Sequence, residues 1–354
     1  MLQRQRDPGA ARLLRHSLRW GLAILVSGAA AWLGLRQVRW STVAASLARA
    51  SAPLVALGLA TVLATSAVKA LRWHLLLRQC GASVSGWRAF RVLVVGQLGN
   101  SFLPVRLGDL ARAILVAPQT KGGAAGALGT VLAEKVLDGI VGMLIVLGIA
   151  VTAHLPAWLQ RPALALAAIT AVLLALLALV LAWPRRLAPA FDALSRRLPS
   201  GLTREDSSRK AWWASFQSLS SRFRRGLIVL GAPSALLPGL ALSGVVWGLG
   251  AVTNRVILAA IGVDLPIWAN LLVLVSVYLA TFLPAVPAQI GVFEYACILA
   301  LGAGGLPAEA ALAFGLLLHF VVYAPPALLG PVFGAVEGLR WSSLGASDRA
   351  TRID

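Results

Sequence analysis

Apolar stretches long enough to cross a lipid bilayer recur along most of this 354-residue chain. A helix crosses the hydrocarbon core in about 20 residues, so apolar runs of that length between charged residues mark the candidate spans. Only 13% of the residues are charged, against roughly 25% in a soluble domain. The sequence therefore predicts an all-α polytopic membrane protein with about six full spans, at approximately 20–38, 53–78, 123–152, 162–183, 236–262 and 307–334.

The distribution of Lys and Arg predicts the orientation of these spans, because cytoplasmic loops carry an excess of both residues. Five arginines precede the first span, ten basic residues lie in 184–225, and three arginines lie in 336–354. We therefore expect the basic N-terminus 1–19, the 184–225 loop and the 336–354 tail to be cytoplasmic, in a multi-pass protein of the cell (inner) membrane. The net charge of +19 is then explained by basic residues that face anionic lipid headgroups, and no nucleic-acid partner is expected.

Two further apolar segments, 86–121 and 267–305, are interrupted by Pro and Gly. The predicted orientation requires 86–121 to begin and end on the cytoplasmic side and 267–305 to begin and end on the outer side. We therefore predict two re-entrant helical hairpins, one in each of the membrane halves 20–183 and 226–335. Two full crossings in each segment are the alternative, which preserves the orientation but leaves short helices with Pro near their middles.

A short motif recurs at the break of each predicted hairpin. In the first hairpin Phe-Leu-Pro ends at Pro104, and Gly108 and an acidic residue follow; in the second it ends at Pro284, and Gly291 and an acidic residue follow. Because the two halves run in opposite directions, the recurrence predicts an inverted repeat, in which paired broken helices indicate a binding site near the bilayer midplane. A coincidence between two unrelated loops is the alternative.

The proline and the glycine of each copy, Pro104 with Gly108 and Pro284 with Gly291, give a physical reason for a binding site. Each Pro removes a backbone donor, and non-helical backbone is stable at membrane depth only where protein or water satisfies it. A helix that restarts at Gly108 or Gly291 would point its N-terminal amides at a cavity, which favours phosphate.

Charged residues within the apolar segments are the candidate functional residues, since inserting each one costs roughly 2.5–3.5 kcal/mol. Arg106 and Arg112 are expected to bind a lipid phosphate, because guanidinium groups contact phosphate in a bidentate manner. Glu134 and Asp138 lie four residues apart on one helix face and are expected to hold these arginines. Asp109 is placed in the same headgroup site, and a structural ion-pair network with Asp109 as a helix cap is the alternative.

Glu294 is the charged residue predicted inside the second hairpin. Either it meets a cation across the interface between the halves or it is protonated, and a protonatable carboxylate at this depth suits ion-coupled transport. His319 and Tyr323 are expected to line the same cavity, although a lone His on an apolar helix is more often a packing residue. Lys69, Arg72 and His74 lie near the cytoplasmic end of the second span, where long basic side chains are expected to reach the membrane interface.

Four groups of residues occur in an order and spacing that resemble those of a known family: Leu71-Arg72-Trp73, Pro104-x-Arg106-x-Gly108-Asp109-x-x-Arg112, Glu134-Lys135-x-x-Asp138 and Ile290-Gly291-Val292-Phe293-Glu294. They resemble the membrane domain of lysylphosphatidylglycerol synthases, a flippase-like domain family, over roughly residues 15–335. The resemblance implies a polytopic protein with re-entrant helices. In the bifunctional members of the family this domain moves aminoacylated lipid between leaflets.

The chain also departs from the family pattern. Asp109 stands where the family usually has Glu, and Pro287-Ala288-Gln289 replaces a common Pro-Gly-Gly turn. Because Gln289 adds a carboxamide, it joins the expected headgroup-binding residues, and headgroup selectivity is expected to differ. Only about 20 residues follow the last span, so we expect a stand-alone member without the synthase domain and without lysyl transfer.

The function predicted from the sequence is that of a flippase-like lipid translocator, a transporter rather than an enzyme, which moves a phospholipid or a polyprenyl-phosphate lipid between leaflets. The alternatives are a membrane-embedded transferase that acts on lipid-linked substrates and a secondary transporter of a small anion. The sequence contains no nucleotide-binding loop and no metal-ligand or hydrolase motif, so no cofactor or metal is expected. The 184–225 loop is interpreted either as an amphipathic helix at the membrane interface or as a docking site for a lipid-synthesising enzyme.

Overall fold

The structure is a computed structural model, and it describes residues 8–36, 38–103, 107–152, 233–281, 283 and 285–338, with a few residues between 168 and 227. The regular structure of the described residues is helical, apart from one isolated bridge between Ala82 and Thr120. In chain order the main helices are α1 (Pro8–Leu35), α2 (Trp40–Ala48), α3 (Ala52–Gln79), α4 (Gly86–Phe102), α5 (Leu107–Val116), α6 (Gly123–Thr152), α7 (Pro233–Ala260), α8 (Ile267–Ala280), α9 (Val292–Ala303) and α10 (Ala308–Val336).

Helices of 28 to 30 residues cover five of the six predicted spans, namely α1, α3, α6, α7 and α10. The sixth prediction, 162–183, lies outside the described residues apart from a few positions. Within the described residues, three helices are long and apolar enough to cross a membrane: Ala52–Gln79, Ser234–Ala260 and Ala308–Val336. The bent pair of Gly21–Leu35 and Trp40–Ala48 makes a fourth if it is counted as one span. The protein is thus an all-helical membrane protein in which shorter apolar helices accompany the clear spans.

Helices α4 and α5 form a helical pair whose two ends meet. Ser85 caps α4 by accepting a hydrogen bond from the Arg88 amide at 3.2 Å. The helices then pack closely around Gly108, where an added Cβ would overlap the Gly96 carbonyl oxygen. After α5 the chain returns to where it entered, since the Ser83 amide donates to the Gln119 carbonyl at 2.9 Å.

Helices α8 and α9 form a second pair, joined by residues 281–291. This connection includes a short 3₁₀ turn, Pro287–Gln289, and it holds Ala288 and Gln289 at positive φ angles of 58° and 59°. The ends of the pair also lie together, because an added Cβ on Gly304 would sit 3.1 Å from the Cβ of Ala269.

The two pairs are held within a framework of long helices. Helices α3 and α7 pack against each other, and their Thr61 and Thr253 hydroxyls are hydrogen-bonded at 2.8 Å. Helix α10 packs against both α4 and α9. Helix α1 packs on α9, and α2 packs on α10. The division of the chain into halves 20–183 and 226–335 had placed α1 and α2 in the first half, but their contacts here are with helices of the second. The arrangement leaves a space between α3–α6 on one side and α7–α10 on the other.

Candidate functional site

A cavity of about 410 Å³ lies between these two groups of helices. One wall carries every ionisable Asp, Glu, Lys or Arg side chain that the described residues contribute to the lining: Lys69, Arg72, Asp109, Arg112, Glu134, Lys135 and Asp138. The other wall comes from α7–α10 and the 287–289 turn, and its larger side chains include the aromatic residues Trp247, Tyr278, Phe293 and Tyr323. The cavity is therefore charged on one side and aromatic on the other.

Helical periodicity brings the charges of the first wall together. On α3 the lining residues Val62, Thr65, Ser66, Lys69 and Arg72 are spaced by three or four positions, so they share one face. On the facing side of α6, Glu134 and Asp138 are four residues apart, and Lys135 lies three residues before Asp138. The polar stripe of α3 is the sequence signal that would have identified Lys69 and Arg72 as cavity residues.

Arg72 forms the centre of a buried ion network and does not reach the membrane interface as predicted. Arg72 is only 2% exposed to solvent. The guanidinium holds Asp138 with two contacts, at 2.5 and 3.2 Å, and donates to the Ser243 hydroxyl at 2.6 Å. Glu134 approaches the same guanidinium at 3.4 Å. The prediction for Arg72 was wrong because it considered only the length of the side chain, whereas two carboxylates of α6 and a hydroxyl of α7 compensate the cost of burying the charge.

Arg112 is the second arginine of the network. Its Nη2 lies 2.7 Å from Glu134 Oε2 and 3.1 Å from Asp109 Oδ1. The guanidinium also stacks over the ring of Trp73, 4.8 Å from its centroid. Two carboxylates and an aromatic face thus fix this side chain. Glu134 holds an arginine of the first hairpin as the sequence suggested, but Asp138 is paired with Arg72 of α3.

Asp109 links the network to the start of α5. Its carboxylate contacts Arg112 and also the Lys135 ammonium, at 3.2 Å. Its backbone amide donates to the Asn100 side chain at 3.1 Å. Asn100 therefore ties the end of α4 to the first turn of α5, and the contacts of the Asp109 carboxylate within the described residues include these two ion pairs.

Glu294 has its side-chain partner on α10. Its Oε1 lies 2.5 Å from Nδ1 of His319, and its Oε2 accepts the Gly291 amide at 2.8 Å. The amide that the sequence suggested for phosphate at Gly291 is therefore occupied by Glu294. The His319 ring lies 4.4 Å from the Tyr323 ring, whose hydroxyl donates to Gln289 Oε1 at 3.4 Å.

The Glu294–His319 pair lies one layer behind the cavity. Phe293, Tyr323 and Gln289 line the cavity, whereas Glu294 and His319 do not. Glu294 is 8% exposed. The prediction that His319 lines the same cavity as Tyr323 was thus wrong for His319, because Tyr323 lies one turn further along α10 and occupies the wall.

Several residues proposed from the sequence fall where the structure is not described. Pro104, Arg106 and Pro284 are outside the described residues, so the expected phosphate contact of Arg106 has no structural counterpart here. The helices themselves end and restart at Phe102 and Leu107, and at Ala280 and Val292. Within the described part of the chain, no group of three or more His, Cys, Asp and Glu side chains is arranged to hold a metal ion.

Comparison with protein families gives one match. A family model described as Lysylphosphatidylglycerol synthase TM region matches residues 20–330. This range includes every residue that lines the cavity. No curated protein matches the chain.

Proposed function

Because the chain belongs to the family of the lysylphosphatidylglycerol synthase transmembrane region, we propose that it is a lipid translocator that moves a phosphate-bearing lipid between the leaflets of the cell membrane. The substrate is a phospholipid or a polyprenyl-phosphate lipid. The protein acts as a transporter and not as an enzyme. The observation that carries the proposal is the cavity, which combines a charged wall and an aromatic wall inside an apolar helical protein.

The size and lining of the cavity support a headgroup site. Ligand pockets for small molecules have volumes of about 300–1,000 Å³, and the volume here is about 410 Å³. Such a space accepts a polar headgroup while the acyl or prenyl chains stay in the bilayer. Charged residues inside a membrane protein are expensive and usually mark a substrate pathway, which distinguishes this wall from ordinary helix packing.

The lengths of the paired helices support two re-entrant hairpins. Helix α5 has 10 residues and α9 has 12, so they rise about 15 and 18 Å. The hydrocarbon core is about 30 Å thick, and neither helix crosses it alone. In each pair the chain also returns to the place where the pair began. We propose that the pairs enter from opposite faces as an inverted repeat, with both termini in the cytoplasm.

Filling the cavity tests the proposed transport. Thr65 lines the cavity, so Thr65→Trp should slow the leaflet exchange of a fluorescent phosphatidylglycerol in proteoliposomes by about tenfold or more, because the indole occupies the space of the headgroup. Leu63→Trp is the matched control, since Leu63 is on the same helix and is 38% exposed on the outer surface.

Exchange by Thr65→Trp at the rate of Leu63→Trp would contradict the proposal, as would a wild-type rate no faster than that of protein-free liposomes. Thr65→Cys, blocked with a thiol reagent after reconstitution, repeats the test on a protein that has already folded.

We also propose that the Glu294–His319 pair couples transport to protons. A carboxylate and an imidazole at 2.5 Å exchange a proton easily, and the same carboxylate holds the Gly291 amide at the start of α9. A change in the charge of Glu294 therefore acts on the turn that presents Gln289 to the cavity.

An imposed pH difference tests the coupling. It should change the exchange rate of the wild type and leave that of Glu294→Gln unchanged. Glu309→Gln is the control, because Glu309 begins the same α10 helix but pairs with Arg39 at the surface. An equal response of the wild type and Glu294→Gln would remove the pair from the mechanism.

A further inference from the structure

The charges of the cavity wall balance one another almost completely. Three cations and three anions form one connected set of ion pairs: Arg72, Arg112 and Lys135 with Asp109, Glu134 and Asp138. The sum of three positive and three negative charges is zero. This network therefore offers little net attraction to an anionic ligand, although it contains both arginines of the wall.

Among the described residues, Lys69 is the cavity cation that forms no ion pair with this network, although Asp138 and Glu134 attract it electrostatically. It lies on the polar face of α3, one turn before Arg72, and lines the cavity. Its side chain is partly exposed. Among the described residues it takes part in no hydrogen bond or ion pair, while Arg72, Arg112 and Lys135 each contact a carboxylate. Lys69 thus brings the formal charge of the described part of this wall to +1 and adds an ammonium group that is not in an ion pair.

Neutral hydrogen-bonding groups surround the same part of the wall. Ser66 is one turn before Lys69, and Gln97 and Asn100 line the cavity from α4. The Ser66 hydroxyl and the Gln97 amide are joined only by a contact of 3.4 Å, which is long for a hydrogen bond. Both groups are therefore available to a ligand oxygen at little cost.

We propose that Lys69, and not Arg112, is the residue that binds the phosphate of the ligand, and that Ser66 and Gln97 complete the contact. The ligand is an amphiphile with a phosphate monoester or diester. The part of the ligand next to its phosphate faces the opposite wall, where Trp247 and Tyr278 pack with ring centroids 5.1 Å apart, and its chains stay in the bilayer. This assignment rests on the proposed function, because it assumes that the cavity receives a phosphate.

The arginines have a different role in this arrangement. Releasing Arg112 to a phosphate would leave the buried Glu134 with its longer contact to Arg72, at 3.4 Å, and Asp109 with Lys135. Each carboxylate would thus lose one of its two cations, which is unfavourable. Binding by Lys69 requires no ion pair of the network to break. The arginines and carboxylates then hold α3, α5 and α6 in place, and they are positioning residues.

The test compares two lysines of the same chain. The affinity of the purified full-length protein for dihexanoyl phosphatidylglycerol is measured by calorimetry in detergent, with Lys69→Gln and Lys121→Gln as variants. Lys121 is exposed and does not line the cavity. Lys69→Gln should bind about tenfold more weakly or worse, since a charge-assisted contact is lost, whereas Lys121→Gln should bind like the wild type.

A second measurement uses the wild-type protein, so it does not depend on the folding of a variant. Bound dihexanoyl phosphatidylglycerol should slow the acetylation of Lys69 by an amine reagent and leave that of Lys121 unchanged, as read by mass spectrometry. Lys69→Arg, which keeps the charge, should retain most of the affinity that Lys69→Gln loses.

The outcomes separate this assignment from the proposed function. If the wild type and Lys69→Gln bind the lipid equally, the assignment of Lys69 is wrong and the translocator proposal stands. If the wild type binds neither the lipid nor inorganic phosphate, both are wrong. If inorganic phosphate and glycerol 3-phosphate bind as tightly as the lipid, through Lys69, the assignment holds and the ligand is a soluble anion.

Discussion

Arg72 has the most demanding environment of any single residue in the wall. A buried guanidinium is tolerated only when several acceptors surround it, and here Asp138, Glu134 and Ser243 provide them from two other helices. The side chain therefore joins α3 to α6 and α7. Its neighbour along the chain, Trp73, supports the second arginine by lying under Arg112.

Replacing Arg72 with Gln should lower the free energy of unfolding by about 3–5 kcal/mol, because Asp138 keeps its charge and loses its partner. A denaturant titration in mixed micelles measures the change. Arg39→Gln serves as the control, since the Arg39 side chain is 78% exposed in its pair with Glu309 and its loss should not be measurable. Equal stability of Arg72→Gln and the wild type would show that the network does not hold the helices together.

The sequence predicted part of this chemistry. The charges of 106–138 were expected to form one cluster, because each is costly in an apolar segment and α5 and α6 follow each other closely. Arg72 and Lys69 were missed because their distance from the end of a span suggested an interfacial position. The partners that bury Arg72 lie 62 to 171 residues away, and such distances cannot be read from local spacing.

At the scale of helices, the close approach of α4 and α5 depends on the absence of a side chain. An added Cβ on Gly99 would lie 2.8 Å from Gly108 Cα, so the two backbones are in contact. Small residues at a helix interface are a usual means of packing helices in membranes. The approach also brings Asp109 to Asn100, which links the packing of the pair to the charged wall.

Gly108→Ala should separate α4 from α5. The free energy of unfolding should fall by about 1–3 kcal/mol, as for other overpacked cores, and the melting temperature in detergent should fall with it. Gly244→Ala is the matched control, because Gly244 is exposed in α7 and an added Cβ meets nothing within 4 Å. That variant should be unchanged or slightly more stable, since Ala favours a helix. Melting curves that coincide for the two variants would contradict the role of the glycine contact.

Helix interruptions were easier to predict than the conformation between the helices. Pro and Gly mark the intervals 102–107 and 280–292, and the helices stop and restart there. The positive φ angles of Ala288 and Gln289 had no such signal, because neither residue favours that region. The surrounding contacts stabilise it, among them the bond from Tyr323 to Gln289.

For the whole molecule, the main question is on which side of the membrane each helical pair begins and ends. In both pairs the first and last residues lie together in the structure, at 83 with 119 and at 269 with 304. The distribution of basic residues assigns the first pair to the cytoplasmic side and the second to the opposite side. This assignment rests on sequence, since the contacts within the protein are the same in either orientation.

Single cysteines test the assignment. Trp87→Cys and Lys121→Cys should both react with a membrane-impermeant maleimide from the cytoplasmic side, and Ile267→Cys and Gly302→Cys both from the outer side. All four positions are exposed. The native Cys80 and Cys297 are buried, so the unmodified protein is the low-background control. Labelling of positions 87 and 121 from opposite sides would contradict the hairpin and indicate a single crossing between them.

The contact of α1 with the second pair has a consequence for how the protein is made. The Ser27 hydroxyl accepts the Val286 amide at 3.0 Å, and these residues are 259 positions apart. During synthesis α1 must wait, without this neighbour, until the 259 residues up to Val286 have followed it out of the ribosome. Biogenesis therefore has an early intermediate with an unoccupied helix face, where an insertase or chaperone has time to act.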